Sequence, residues 1–209
     1  KVLPNKSKKL DDLIVLKAKS KKFPHFAVAY KEHLSDFSDH YDDLYKHWTE
    51  NEPKDFVTGK VAAFLTQNNI LVTLKNSLVK QETPATASEL TAKVPYFGYV
   101  ISHVPSGILV KINDEIKGLV PKASIPNSQT VSMEEEFPRG KTIKIDLRKM
   151  DMEDEKTKIM FNFSNINDPI SEGAFLNYLD EEYLISQNTI EQNPKAWNDY
   201  KIGNYVKGK

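Results

Sequence analysis

The chain has 209 residues, 39% hydrophobic and 28% charged, a balance typical of a folded protein rather than a disordered one. It contains no cysteine, which excludes disulfides, thiolate zinc sites and a cysteine nucleophile and favours an intracellular setting. The formal net charge is zero, which argues against a uniformly basic nucleic-acid binder.

Charge is nevertheless unevenly distributed along the first quarter of the chain. Residues 1–22 are rich in lysine, whereas acidic side chains dominate residues 32–55. The first segment can therefore attract phosphate, and the second would repel it. No apolar run approaches the roughly 20 residues needed to span a bilayer, and the start lacks a signal-peptide pattern, so no membrane partner is expected.

The first predicted group of elements covers residues 26–79 and follows the basic segment 1–25. Apolar alternation predicts strands over 56–64 and 70–74, and 39–50 has the spacing of a short helix. Lys60, Lys75 and Lys80 with Phe64 suggest a small basic patch, although the acidic segment beside it favours a protein-facing surface instead.

A linker with Pro84 and small polar residues is predicted over 80–93, followed by a second group of strands. The clearest strand is 143–147, where Ile143, Ile145 and Leu147 alternate with Lys144 and Asp146 and so give one core side and one wet side. The other strands of this group are predicted over 97–103, 108–112, 118–121 and 158–163. Five short strands with compact turns favour a small β-barrel.

A helix is predicted from Ser171 to about Ser186. Apolar side chains recur at helical spacing with acidic residues on the other face, which predicts a spacer packed against a barrel by its apolar side: Phe175, Leu176, Leu179, Tyr183 and Leu184. The start at Lys1 without methionine, and the end at Lys209 just after an apparent strand begins, predict a part of a longer protein.

The two strand groups also resemble each other weakly. Residues 56–61 correspond to 137–142, each with a Gly-Lys entry into a strand, and 28–35 correspond to 119–124. Residues 202–208 resemble the opening of a further unit, with Gly208 matching Gly98.

The second group resembles the S1 RNA-binding domain from about Val94 to Ser164. The resemblance rests on an ordered frame rather than on any single motif: Gly98-Tyr99-Val100, Gly107, Val110, Gly118 to Ser124, Gly140 to Ile145, Asp151, and Lys158 to Phe161. It implies an all-β fold class of tandem S1-type OB-fold five-stranded barrels with short connecting helices. The units are then an irregular S1-like repeat over 26–79, an S1 domain over 94–166, a helical spacer over 167–200 and the start of a further repeat over 201–209, with 1–25 as possible first strands of the first repeat.

Segments of the first group, together with one segment of the barrel, make the family resemblance more specific. Glu32 to Asp36, Trp48, Leu74 to Val79 and the variant Gly118 to Ala123 are similar to the middle repeats of the ribosomal RNA-processing protein five family of large nucleolar proteins. Membership would imply a non-catalytic scaffold in the nucleus and nucleolus that supports pre-rRNA processing and ribosomal subunit assembly. The implied partners are precursor ribosomal RNA, small nucleolar ribonucleoproteins and pre-ribosomal assembly proteins.

The predicted RNA-binding face differs from that of the S1 family. At the positions where the family usually carries two aromatics and a histidine for base stacking, this chain has Ser106, Leu109 and Pro121. Asp151 matches a family position, and Lys158 replaces the usual arginine with a point charge. The candidate RNA-binding residues are Tyr99, His103, Lys111, Lys117, Lys122, Lys141, Lys144, Arg148 and Lys158. We expect weak, largely sequence-independent contact with RNA.

No catalytic, cofactor or metal site is predicted. The chain lacks a phosphate-binding glycine loop, a nucleophile elbow and a His-Glu-x-x-His motif. His33, His40 and His47 recur every seven residues, a spacing that favours a solvated acidic face over a zinc site. Two alternatives stay open: S1 repeats that dock protein and have lost RNA binding, and an S1 appendage of a ribonuclease.

Overall fold

The computed structural model of the chain describes residues 2–3, 13–17, 26–50, 57–66, 69–126, 128, 132–153, 156–164 and 174–192. The first part contains strands β1 (Val2–Leu3), β2 (Leu13–Lys17), β3 (Phe26–Tyr30), β4 (Lys60–Thr66) and β5 (Asn69–Thr73), with helices α1 (Tyr41–Glu50) and α2 (Asn76–Lys80). The second part contains β6 (Pro95–Val104), β7 (Gly107–Lys111), β8 (Lys117–Pro121), helix α3 (Met133–Glu136), β9 (Thr142–Glu153) and β10 (Lys156–Phe163), followed by α4 (Ala174–Gln192). Short 3₁₀ helices cover Lys31–His33, Ser38–His40, Ala87–Glu89 and Lys122–Ser124.

Strands β6 to β10 form a closed barrel in the order β10-β8-β7-β6-β9, which confirms the five-stranded barrel predicted from the sequence. All neighbouring strands are antiparallel except β8 and β10. This strand order with one parallel pair is compatible with an OB-fold. The barrel interior is filled by side chains with no exposed surface: Val100, Ile108, Val110, Ile116, Val120, Ile145 and Phe161.

The alternation predicted over 143–147 is borne out at its core positions. Ile143 and Ile145 are buried in the barrel, and Leu147 is packed against it. Gly118 is required where β8 passes the core, because a Cβ atom there would lie 2.5 Å from the Phe161 ring. Close packing of this kind rather than turn flexibility explains a glycine in the middle of a strand.

The first five strands form a separate sheet in the order β1-β2-β3-β5-β4, again with one parallel pair, β3 and β5. Its core includes Ile14, Ala29, Ile70 and Val72, which pack against Leu44 and Trp48 of α1. The order of pairing follows that of β6 to β10, and α1, like α3, lies between the third and fourth strands. Within the described residues, closure into a barrel is seen only for the second sheet.

Residues of the predicted linker are hydrogen-bonded to the barrel. Gln81 donates from Nε2 to the Phe97 carbonyl and accepts from the Phe97 amide through Oε1, each at 2.8 Å. The Asn113 amide donates to the Pro84 carbonyl at 2.7 Å. The segment therefore follows the edge of β6 and the turn after β7.

A buried polar cluster connects the first sheet to the barrel. The Asp36 carboxylate accepts from the Thr142 hydroxyl of β9 and from the Ser77 amide of α2, both at 2.8 Å. Lys75, which has no exposed surface, donates to the Ser35 carbonyl and, at 3.0 Å, to the Tyr41 hydroxyl. The atoms named here have partners, as buried polar groups require, whereas the buried Ser77 Oγ has none among the described residues.

Helix α4 is present where a helix was predicted, but the predicted packing face was wrong for three of its five residues. Of the predicted residues, Leu184 lines a cavity with Leu34 and Trp48 of the first part of the chain. Further contacts with the first part are made by Tyr178, Glu181, Glu182 and Ile185, whereas Leu176, Leu179 and Tyr183 are exposed. The reason is that Ser35 and His40 present polar partners to the acidic side of the helix. In the described part of the chain, no helix has the length and apolar character needed to cross a membrane. The predicted repeat start at 201–209 lies outside the described residues.

Candidate nucleic-acid interface

The outer surface of β7, β8 and β10 brings together part of the predicted RNA-binding set. In these strands, buried residues alternate with partly or fully exposed ones. Because successive side chains of a strand point to opposite faces, the residues between the core positions lie on the outer surface. We call this surface the β7–β8–β10 face; it comprises Leu109, Lys111, Lys117, Leu119, Pro121, Lys158 and Met160.

Strand register aligns three lysines across this face. Lys111 and Lys117 are direct partners in the antiparallel β7–β8 pair. On the other side of β8, Leu119 pairs with Met160 in the parallel β8–β10 pair, so Lys117 and Lys158, each two residues earlier, lie at the same level. We call Lys111, Lys117 and Lys158 the lysine row. Like charges opposite each other on adjacent strands disfavour the sheet, and the carboxylate of Asp114 beside Lys111 offsets part of this repulsion.

A second, apolar row runs beside the lysines. Leu109 pairs with Leu119, and Leu119 pairs with Met160. All three are partly exposed, in contrast to the fully buried residues next to them. The row is a partly exposed apolar surface without the aromatic rings that base stacking normally uses.

Two carboxylates reduce the positive charge of the face. Asp114 Oδ1 lies 2.6 Å from Lys111 Nζ, and Asp151 Oδ2 lies 2.6 Å from Lys149 Nζ. Asp151 is also the cross-strand partner of Lys158. Such exposed pairs are worth about 1 kcal/mol or less, so a phosphate group can compete for these lysines.

Lys122 lies just beyond the end of β8, and Arg148 lies on β9, the strand next to β10. Lys122 is exposed directly after β8, and its amide donates to the Ser106 carbonyl at 2.8 Å. About 3.3 Å per residue places it roughly 16 Å along the chain from Lys117. Arg148 is exposed at the irregularity of β9, where the pairing with β10 shifts between Met160 and Phe161.

Tyr99 is placed differently from the expectation. It is the cross-strand partner of Lys111, but only 6% of it is exposed, and its ring packs edge-on against His33 at 4.8 Å between centroids. Burial, together with Asp114 and Glu32, raises the pKa of Tyr99 to about 12. Burial, followed by Lys75, lowers the pKa of His33 to about 3, so this ring is neutral. Because Tyr99 is covered, it offers little surface for a base.

His103, Lys141 and Lys144 lie away from the lysine row. His103 Nε2 donates to the Phe137 carbonyl at 2.8 Å. Lys141 Nζ donates to the Glu136 carbonyl at 2.5 Å and lies 5.2 Å from the centre of the Phe137 ring. Lys144 is the β9 partner of Phe97. The structure thus separates these residues from the β7–β8–β10 face.

The residues predicted from the sequence do not include Lys149 or the apolar row. Lys149 is exposed and is the β9 partner of Met160, so it extends the face by one strand. The alternation along β7 and β8 could have predicted that Leu109 and Leu119 lie on the outer surface. That they are opposite each other depends on the strand register, which alternation does not give. The basic patch suggested for the first unit is not formed, because Lys75 is buried and Lys60 Nζ donates to the Leu78 and Gln81 carbonyls and to Thr83 Oγ1.

The three histidines of the seven-residue repeat have separate surroundings. His33 packs on Tyr99, His40 lies between Glu181 and Glu182, and His47 contacts the Trp48 ring at 5.9 Å. Among the residues that the structure describes, no group of three or more His, Cys, Asp or Glu side chains is arranged to hold a metal ion.

Compared with known proteins, the chain matches no protein-family model and no curated sequence.

Proposed function

We propose that this chain is a non-catalytic scaffold that binds single-stranded RNA on the β7–β8–β10 face. The observation that carries the proposal is the lysine row, which places Lys111, Lys117 and Lys158 side by side on three adjacent strands of a closed barrel. Lysines aligned across strands can follow a phosphate backbone, and the partly exposed Leu109, Leu119 and Met160 lie beside them to receive bases.

The proposed binding is weak and independent of base sequence. Phosphate contacts position a strand but carry no sequence information, and the Ser106, Leu109 and Pro121 positions lack rings for stacking. Binding that depends on a few lysines is strongly sensitive to salt, because each neutralised phosphate releases counterions. Useful affinity would then come from several linked units acting together.

The family assignment is part of the same proposal. We propose that both strand groups are S1-type OB-fold repeats and that the parent protein belongs to the ribosomal RNA-processing protein five family. The shared pairing order of the two sheets supports this assignment, as does the position of the aligned Gly-Lys segments just before or at the start of β4 and β9. Precursor ribosomal RNA, pre-ribosomal proteins and a nucleolar location follow from it.

A second function, protein docking by the same face, is favoured by the apolar row. Leu109, Leu119 and Met160 would suit an apolar side chain of a protein as well as a base. Aliphatic side chains do not provide the stacking platforms that RNA-binding barrels use.

Binding of a fluorescein-labelled U12 RNA at 50 mM salt, followed by anisotropy, distinguishes the two functions. The Lys117→Ala/Lys158→Ala variant should bind at least about tenfold more weakly and reduce the slope of log K against log salt by about two. The matched control is Lys46→Ala/Lys80→Ala, which removes two exposed lysines from α1 and α2 and should change affinity less than about twofold. Equal losses in both variants, or no binding by the unmodified chain, would refute RNA binding by this face.

A further inference from the structure

Helix α4 is attached to the rest of the molecule by its polar side. Glu181 Oε2 accepts from the Ser35 hydroxyl at 2.6 Å and lies 2.7 Å from His40 Nδ1. The Tyr178 ring contacts Phe37 and His40 at centroid distances of 5.1 and 4.4 Å. Ile185 completes this side by packing against the core of the first sheet. The contacts therefore fix which side of the helix is turned inward.

The opposite side of α4 carries an exposed apolar stripe. Leu176 is 64% exposed, Leu179 45% and Tyr183 65%. With 3.6 residues per turn, successive residues are about 100° apart, so the three lie within an arc of about 60°, opposite Tyr178, Glu181 and Ile185. Spacing of i, i+3 and i+7 is the pattern by which one helix packs into the groove of another. We call these three residues the α4 stripe.

Acidic side chains lie on both sides of the α4 stripe. The same helical geometry places Asp180 along one border and Glu182 along the other; both are exposed, and Glu182 Oε1 also lies 2.9 Å from His40 Nε2. Between Ala174 and Gln192 the sequence has four acidic residues and no lysine, arginine or histidine. The helix therefore presents an apolar surface inside a negative field.

We infer that the α4 stripe is a docking surface for a basic amphipathic helix of a partner protein. The apolar side of such a helix would cover Leu176, Leu179 and Tyr183, and its lysines or arginines would meet Asp180. A second copy of this chain fits poorly, because two acidic helices would repel each other. RNA is excluded as occupant by the same charge. The inference is independent of RNA binding, since it uses none of the residues of the β7–β8–β10 face.

The test uses the full chain and a fluorescein-labelled 18-residue peptide of leucine and lysine, patterned so that the leucines share one face of a helix. A scrambled peptide of the same composition is the charge-matched control. The patterned peptide should bind at least about tenfold more tightly than the scrambled one. The Leu179→Ser/Tyr183→Ser variant should lose that preference, because it removes two-thirds of the stripe. Both residues are exposed, so circular dichroism and thermal unfolding should show an intact fold.

Phe64→Ser is the matched control variant, because Phe64 is 76% exposed but lies on β4. It should leave peptide binding unchanged. Equal binding of both peptides, or equal binding by the unmodified chain and the stripe variant, would overturn the inference. So would failure of the patterned peptide to bind, as expected if another segment of the chain covers the stripe. Sedimentation that shows a dimer dissolved by the stripe variant would also overturn it in favour of a second copy.

Discussion

The Thr142 hydroxyl of the barrel donates a hydrogen bond to the Asp36 carboxylate of the first part of the chain, at 2.8 Å and out of contact with solvent. The other oxygen of Asp36 accepts from the Ser77 amide. A buried carboxylate shared in this way makes the two parts of the chain depend on each other for stability.

Replacement of Asp36 by alanine should therefore destabilise the whole chain. The change leaves the Thr142 hydroxyl and the Ser77 amide without their partner, which should lower the free energy of unfolding by about 2 to 4 kcal/mol. Urea unfolding measures this value, with the exposed Asp43→Ala of α1 as control at less than about 0.5 kcal/mol. A loss no larger than that of the control would show that the contact does not hold the two parts together.

Lys75 should make stability depend on pH. Burial lowers its pKa to about 7 from the ordinary value of 10.5, despite Asp36 and Glu181. Between these two values the unfolded chain binds a proton that the folded chain does not, so stability should rise as pH increases from 7. We expect the free energy of unfolding of the wild type to increase relative to Lys75→Met between pH 7 and pH 9.5.

The measurement ends at pH 9.5 because Tyr41 would add an opposite effect at higher pH. Burial raises the pKa of Tyr41, so above pH 10 ionisation of this tyrosine in the unfolded chain would oppose the effect of Lys75. Parallel pH profiles for the wild type and Lys75→Met would contradict the prediction.

His40 should hold α4 on the first part of the chain. Its buried ring has Nδ1 2.7 Å from Glu181 and Nε2 2.9 Å from Glu182. His40→Ala removes both contacts and the ring under Tyr178, and amide hydrogen exchange in α4 should become about tenfold faster or more. Lys46→Ala, an exposed change on α1, serves as control. Unchanged exchange in His40→Ala would show that α4 is held by other contacts.

Gly140→Ala should destabilise the same boundary from the barrel side. Gly140 has φ of +87°, and an added Cβ atom would collide with the Cβ of Glu32. Backbone strain of this kind costs about 1 to 3 kcal/mol, before the collision is counted. Thermal unfolding should show the loss, and Glu32→Gly should recover part of it. If Gly140→Ala unfolds like the wild type, then Gly140 does not lie against Glu32.

Local patterns predicted much of the barrel. The alternation of Ile143, Lys144 and Ile145 is a property of one strand, since a half-buried strand requires a period of two whatever its neighbours are. Contacts between strands were harder to predict from the sequence. The alignment of Lys117 with Lys158 depends on the register of a parallel pair whose members are far apart in the sequence.

The α4 helix shows most clearly why pattern alone was insufficient. Leu176, Leu179 and Tyr183 were correctly placed on one side, but that side is exposed, because Ser35 and His40 hold Glu181 and Tyr178 in the inward position. Periodicity reports which residues share a face and says nothing of what that face meets.

The sequence by itself determined the five strands of the barrel and supplied the lysines that form the row, because strand periodicity and turn residues act over short distances. The tertiary structure alone decided which candidates come together. It buried Tyr99 under His33, enclosed Lys75, and turned the apolar side of α4 outward. Each of these depends on desolvation and hydrogen bonding between residues distant in sequence, and such interactions leave no periodic trace in the chain.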